Sequence, residues 1–228
     1  MQAVVFDLDG VLIDSEPVWD TVRRGLVQRA GRAWPRDATQ AMQGMSTREW
    51  STYLAELIGG SSSAQAVAGE VIASVARAYR TRLPLLPRAV DVVGRLSERF
   101  VLAVASSSPS VLIRTVLDAA GLTERFAVTV SSEEVPAGKP DPAVYLEAVR
   151  RLGVPAGAAV AVEDSSNGIR SAHGAGLATI AVPTTAFPPD ADAIALAAAV
   201  VTSLDDITAE FVARLSTPGG ATMRRSEV

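Results

Sequence analysis

Phe6-Asp7-Leu8-Asp9-Gly10 ends a short apolar run, Ala3-Val4-Val5-Phe6, on two carboxylates separated by one residue. In extended backbone those two side chains share a face. Like charges beside an apolar core are costly unless a cation or a proton stands between them. The pair is therefore either a solvated turn, for which Asp-Gly is a common signal, or a seat for something positive. Further polar stretches follow apolar runs in the same manner: Ser106-Ser107-Ser108, Gly138-Lys139-Pro140-Asp141-Pro142, and Glu163-Asp164-Ser165-Ser166-Asn167-Gly168. Carboxylates with no His or Cys among them suit Mg2+, which takes oxygen ligands. Hydroxyls, backbone N–H groups and an ammonium suit a phosphoryl group. Converging, these stretches would support metal-assisted phosphoryl transfer.

Lys139 is the one lysine among 21 basic residues. Where arginine serves everywhere else, a retained lysine points to a need for a compact ammonium, because the two are not interchangeable at a site. Some of these groups also have plainer readings. Ser106 to Ser108 fit the cap of a helix starting near Pro109, and Ser165 and Asn167 the cap of the next one. Gly168 fits close packing, and His173 a structural place in that helix.

Such residues can act together only if the chain carries them to one edge. AVVF (3–6), FVLAVA (100–105), AVTV (127–130), AVAVE (159–163) and ATIAV (178–182) read as buried parallel strands, with AAVVT (198–202) a sixth. Amphipathic segments at 88–99, 109–120, 140–152 and 165–175 alternate with them. That rhythm predicts an α/β fold, a Rossmann-like doubly wound parallel sheet. In such sheets ligands bind beyond the carboxyl ends of the strands, where all of the polar stretches fall.

The interval 15–82 breaks the rhythm. It holds helical patterns and no convincing strand, and GGSSS (59–63) reads as a loop inside it. The expected organisation is a core formed by 1–14 and 83–216, an inserted α-helical cap over 15–82, and a flexible tail over 217–228.

With 228 residues, 48% hydrophobic and 20% charged, the chain can bury a substantial core. A net charge of −4 gives no reason to expect a nucleic-acid partner. The absence of cysteine excludes disulfides and thiolate metal sites. Asp7 and Asp9 interrupt the first apolar run, and AIALAAAVV (193–201) is too short to span a bilayer. The expectation is a cytoplasmic protein without membrane partners. Its oligomeric state is not legible; a monomer is compatible.

DxDG after the first strand, a serine closing the second, Lys139 in GKPDP, and EDS followed by xxGI resemble the four motifs of the haloacid dehalogenase superfamily. The helical insert directly after DxDG is similar to the cap-bearing subfamily of small-molecule phosphatases and β-phosphoglucomutase. The resemblance implies Asp7 as nucleophile forming an aspartyl-phosphate, Asp9 as acid and base, and Ser106 and Lys139 on the phosphoryl group. It implies Mg2+ held by Asp7, the Asp9 carbonyl and Asp164, with Glu163 adjacent or acting through water. Gly10, Ser15, Glu16, Trp19, Arg48, Ser107, Ser108 and Asn167 are the expected substrate contacts. Trp34 and Trp50 read as packing residues of the insert.

The expected activity is hydrolysis of small phosphorylated metabolites, sugar phosphates foremost. The alternatives are a β-phosphoglucomutase-like phosphosugar mutase and a non-catalytic module that binds a phosphometabolite. Mutases of this type carry His where this chain has Trp19, and a GxSR pattern where GMSTRE (44–49) sets Arg48 one position later. They also carry Lys where Pro109 stands. These departures favour hydrolysis.

Overall fold

The computed structural model describes residues 1–42, 45–59, 62–185 and 187–215. The expected tail over 217–228 lies outside them, as do Gly44 of GMSTRE and Gly60 and Ser61 of GGSSS. Six parallel strands form one sheet: β1 (Ala3–Phe6), β2 (Val101–Ser106), β3 (Val128–Ser131), β4 (Ala159–Glu163), β5 (Ala178–Ala181) and β6 (Ala199–Val200). Their order is β3-β2-β1-β4-β5-β6. The chain winds outward from β1 on one side and then, from β4, on the other. The topological switch point therefore lies at the centre of the sheet, where such folds bind ligands.

β1 and β4 are buried along their whole length, as strands covered on both faces must be. Alternate residues enter separate apolar clusters. Val4, Phe6, Val160 and Val162 pack on one face, and Ala3, Val5, Ala159 and Ala161 on the other. The alanine-rich face admits α7 (Ala143–Leu152) closely, through Val144, Tyr145, Ala148 and Val149. The bulkier face is covered by α5 (Ala89–Ser97) and α6 (Ser110–Ala120). α8 (Ser166–Gly174) starts three residues after β4, and the short α9 (Ala191–Ile194) and α10 (Ala209–Arg214) complete the core.

Small shifts from the expected boundaries have local causes. β2 ends on Ser106, one residue later than its apolar run, because Ser106 pairs in register with Ser131 of β3. α7 begins at Ala143 and not at 140, because Pro142 disfavours the helical conformation of the residue before it, and Asp141 Oδ1 accepts from the Ala143 N–H at 2.9 Å. β6 keeps only two residues of the expected five.

The segment between β1 and α5 carries α1 (Glu16–Arg29), α2 (Ala38–Ala41), α3 (Thr47–Ile58) and α4 (Ala64–Thr81). Ser46 and Glu49 form a reciprocal capping box at the start of α3. The two chain crossings that join this helical insert to the sheet are tied to each other: Asp14 N–H donates to Pro84 O at 2.8 Å and Leu86 N–H to Leu12 O at 3.0 Å. The insert is also packed against the core, chiefly through α4 on α6. Buried residues of both belong to one apolar cluster. Among the described residues, no helix is long and apolar enough to cross a membrane.

Candidate active site

Asp7 follows the last residue of β1, and its N–H still donates to Val162 O of β4 at 2.9 Å. The backbone pairing thus aims a buried carboxylate out of the carboxyl end of the sheet. Lys139 Nζ lies 2.7 Å from Asp7 Oδ1 and 2.6 Å from Glu163 Oε1. Burial works against this ammonium, but the two carboxylates outweigh it and raise its pKa. Burial pushes the Asp7 carboxyl up to about 7, with Glu163 and Asp9 adding to the rise and Lys139 opposing it. Burial also holds Asp164 well above the ordinary carboxylate range, helped by the charges of Glu163 and Asp7.

Carboxylate oxygens of Asp7, Glu163 and Asp164 lie within 4.8 Å of one another. Crowded carboxylates, two of them driven toward the neutral form, make the charge pattern a divalent cation relieves. The all-oxygen donor set fits Mg2+. Glu163 differs from the other two. Its Oε1 accepts from Lys139 and from the Tyr145 hydroxyl at 2.8 Å, and its Oε2 accepts from Asp164 N–H, Ser165 N–H and Ser165 Oγ at 3.1 to 3.3 Å. About four lone-pair positions are available on a carboxylate, and these donors engage those of Glu163, so Asp7 and Asp164 are the members of the trio least committed to protein donors.

Asp9 is held separately. Its Oδ2 accepts from Ser108 Oγ at 2.7 Å and Ser106 Oγ at 3.2 Å, while its Oδ1 is buried with no partner. The Ser106 oxygen also accepts the Ser108 N–H at 2.9 Å. These serines therefore do not cap α6, whose N-cap is Pro109 and whose Ser110 N–H donates to Glu133 Oε2 at 3.4 Å; they fix a carboxylate. Ser165 does cap α8, accepting from Gly168 N–H at 3.1 Å.

Above these groups opens a cleft of about 820 Å³ between the sheet edge and the insert. Asp9, Ser15, Glu16, Trp19, Arg48, Ser107, Ser108, Lys139 and Asn167 all line it. Gly10 does not; at φ +79° it lies behind Asp164, where a Cβ would come within 1.9 Å of Oδ2. Glu16 Oε1 is buried without a partner, and burial raises this carboxyl although Arg23 pulls it down. Trp19 is buried and meets Trp50 edge to face, ring centroids 5.7 Å apart. Trp50 is thus cleft wall as well as packing.

Sequence reasoning passed over Tyr145, Arg23 and the cleft role of Trp50. Tyr145 sits on the apolar face of α7, where an aromatic reads as packing, and only the fold shows its hydroxyl on Glu163. Arg23 carried one faint signal, its spacing of four from Trp19 and seven from Glu16 on a helix.

A doubly wound sheet with carboxylates, a lysine and serines gathered at its switch point defines a phosphoryl-transfer type of site on a Rossmann-like core. Comparison with known proteins narrows this. The family model described as haloacid dehalogenase-like hydrolase matches residues 1–176, and the chain belongs to that family. Hexitol phosphatase B of Escherichia coli strain K12 is 32% identical over 214 residues, covering 91% of this chain and 95% of its own. Phosphorylated carbohydrates phosphatase of Thermotoga maritima is 32% identical over 183 residues, covering 79% and 84%. The crystal structure of CbbY from Rhodobacter sphaeroides in complex with phosphate superposes with a TM-score of 0.78 at 25% identity, over 90% of this chain and 95% of that one.

Proposed function

We propose that this chain is a Mg2+-dependent phosphatase of small phosphorylated metabolites, sugar phosphates foremost, acting through an aspartyl-phosphate on Asp7. The observation that carries the reading is the division of labour between the two carboxylates of DxDG. Asp7 is pinned to an ammonium beside Asp164, whereas Asp9 is tethered by one oxygen and unpartnered at the other. The relatives named above, which act on hexitol phosphates and phosphorylated carbohydrates, support the substrate class.

In this reading an Asp7 oxygen attacks phosphorus, and the bond from phosphorus to the leaving oxygen breaks. Asp9 Oδ1 delivers the proton that oxygen needs. Asp9 then takes a proton from a water that attacks the same phosphorus and frees Asp7. Lys139 and the serine-bearing end of β2 hold phosphoryl oxygens where negative charge builds. Asp7, Asp164 and the Asp9 carbonyl would hold Mg2+. When bound, it would neutralise the phosphoryl group against an attacking carboxylate. Glu163 acts from behind, holding Lys139 and the start of α8 in place. Ser15, Glu16, Trp19, Arg48, Ser107 and Asn167 face the leaving group. The insert, residues 15–82, closes over them and limits water.

The test is release of inorganic phosphate from acetyl phosphate and a panel of sugar phosphates, with Mg2+ and with EDTA, run beside glucose 1-phosphate isomerisation. Release should require Mg2+ and vanish in Asp7→Asn, a change that removes the nucleophile at nearly constant volume. Turnover by Asp7→Asn within about tenfold of the unaltered protein would overturn the covalent route. Isomerisation outrunning hydrolysis would make the protein a mutase.

A further inference from the structure

Glu16, Trp19 and Arg23 share the face of α1 that lines the cleft. A guanidinium offers five N–H donors and no acceptor, and it stays charged. That of Arg23 is buried, with the residue only 7% exposed. Its Nε has no hydrogen-bond partner, and it joins no ion pair among the described residues. Two adjoining indole rings lie against it, with Cζ 4.7 Å from the Trp19 centroid and 5.1 Å from that of Trp50. Ring faces steady the charge but accept no in-plane N–H bond. Of the other cations of the cleft wall, Lys139 is neutralised by Asp7 and Glu163 and Arg170 by Asp190 and Asp192; Arg48 lines the wall as well, but it is exposed to water, where Arg23 is buried.

On the same wall, Glu16 Oε1 is buried and equally unpartnered. A donor-only group and an acceptor-only group, both unsatisfied, call for a ligand that donates and accepts. A hydroxyl does both. A second phosphate or a carboxylate only accepts, and it would bring its charge against Glu16. We infer that Arg23 and Glu16 bind the hydroxyls of an uncharged polyol, whose C–H edges lie against Trp19 and Trp50. This makes Arg23 a specificity-determining residue for the leaving group, an inference that rests on the phosphatase reading only for the words "leaving group".

The experiment compares the unaltered protein with Arg23→Met, Arg23→Lys, Glu16→Gln and the Arg23→Met/Glu16→Gln double variant. Sorbitol 6-phosphate, fructose 1,6-bisphosphate and acetyl phosphate are assayed with Mg2+. The unaltered protein should prefer sorbitol 6-phosphate to the bisphosphate. Arg23→Met should lose kcat/KM on sorbitol 6-phosphate about tenfold or more beyond its loss on acetyl phosphate, mainly through KM. The double variant should lose little more than either single one, because both residues hold the same hydroxyls. Equal losses on both substrates would make Arg23 a structural residue, and a preference for the bisphosphate would make the subsite anionic; either overturns the inference. Should Arg23→Met fail to fold, Arg23→Lys carries the same comparison, since an ammonium lacks the planar fork. If the unaltered protein turns over none of the three, the phosphatase reading fails by itself. Tryptophan fluorescence titrated with sorbitol 6-phosphate then decides Arg23 directly. Saturable binding weakened about tenfold by the substitution upholds the subsite, and equal or absent binding overturns it.

Discussion

Asp9 has one oxygen committed to two serine hydroxyls and the other free, an arrangement suited to a proton carrier whose position must not drift. If Asp9 serves as acid, its loss matters in proportion to how badly the leaving oxygen needs a proton. Asp9→Asn should slow a sugar phosphate about 10²–10⁴-fold and 4-nitrophenyl phosphate much less, because nitrophenolate leaves without help. Steady-state kinetics on the two substrates check this, and equal losses would reduce Asp9 to positioning. At this scale much was legible: carboxylates two apart after an apolar run, and a solitary lysine, are chemically odd enough to stand out. Tyr145 and Arg23 were not, since a buried aromatic and a helical arginine look ordinary until their surroundings are known.

α8 must begin so close to the end of β4 that its first turn wraps the Glu163 carboxylate. Gly168 makes this possible, because a Cβ there would lie 1.8 to 2.0 Å from the Glu163 carboxyl atoms. Gly168→Ala should therefore expel Glu163 from Lys139 and Tyr145, lowering stability by about 2–4 kcal/mol and activity with it. Gly69, exposed on α4 with nothing near its missing Cβ, provides the contrast: Gly69→Ala should stabilise by about 0.5–1 kcal/mol. Urea unfolding of both variants measures the difference in sign. The strands were readable as elements because unbroken apolar runs of this length have few other uses. The limits of β6 and the existence of the four-residue α2 and α9 were not, since tertiary packing and not local pattern decides them.

For the molecule as a whole, the insert is joined to the sheet by two mutually bonded crossings and packed on it through α4 and α6. Closure over the cleft then requires sliding at that contact as well as bending at the crossings. Hydrogen exchange should show α1, α3 and α4 opening together, faster than β1, β2 and β4, and slowed when Mg2+ and orthovanadate are added. Exchange unaffected by those additions would mean an insert that does not close.

The doubly wound class, the helical interruption after β1 and the acidic, serine and lysine clusters at strand ends were determined by the sequence alone, because each is a local pattern of polarity and residue type. The strand order and the partnership of Lys139 with Asp7 and Glu163 were decided by tertiary structure. So were the tethering of Asp9 by Ser106 and Ser108, and the burial of Arg23 against two indoles on the same wall as an unpartnered Glu16 oxygen. These contacts join residues as far apart as 132 positions in the chain. Their geometry follows from how sheet and insert pack, which no local pattern records.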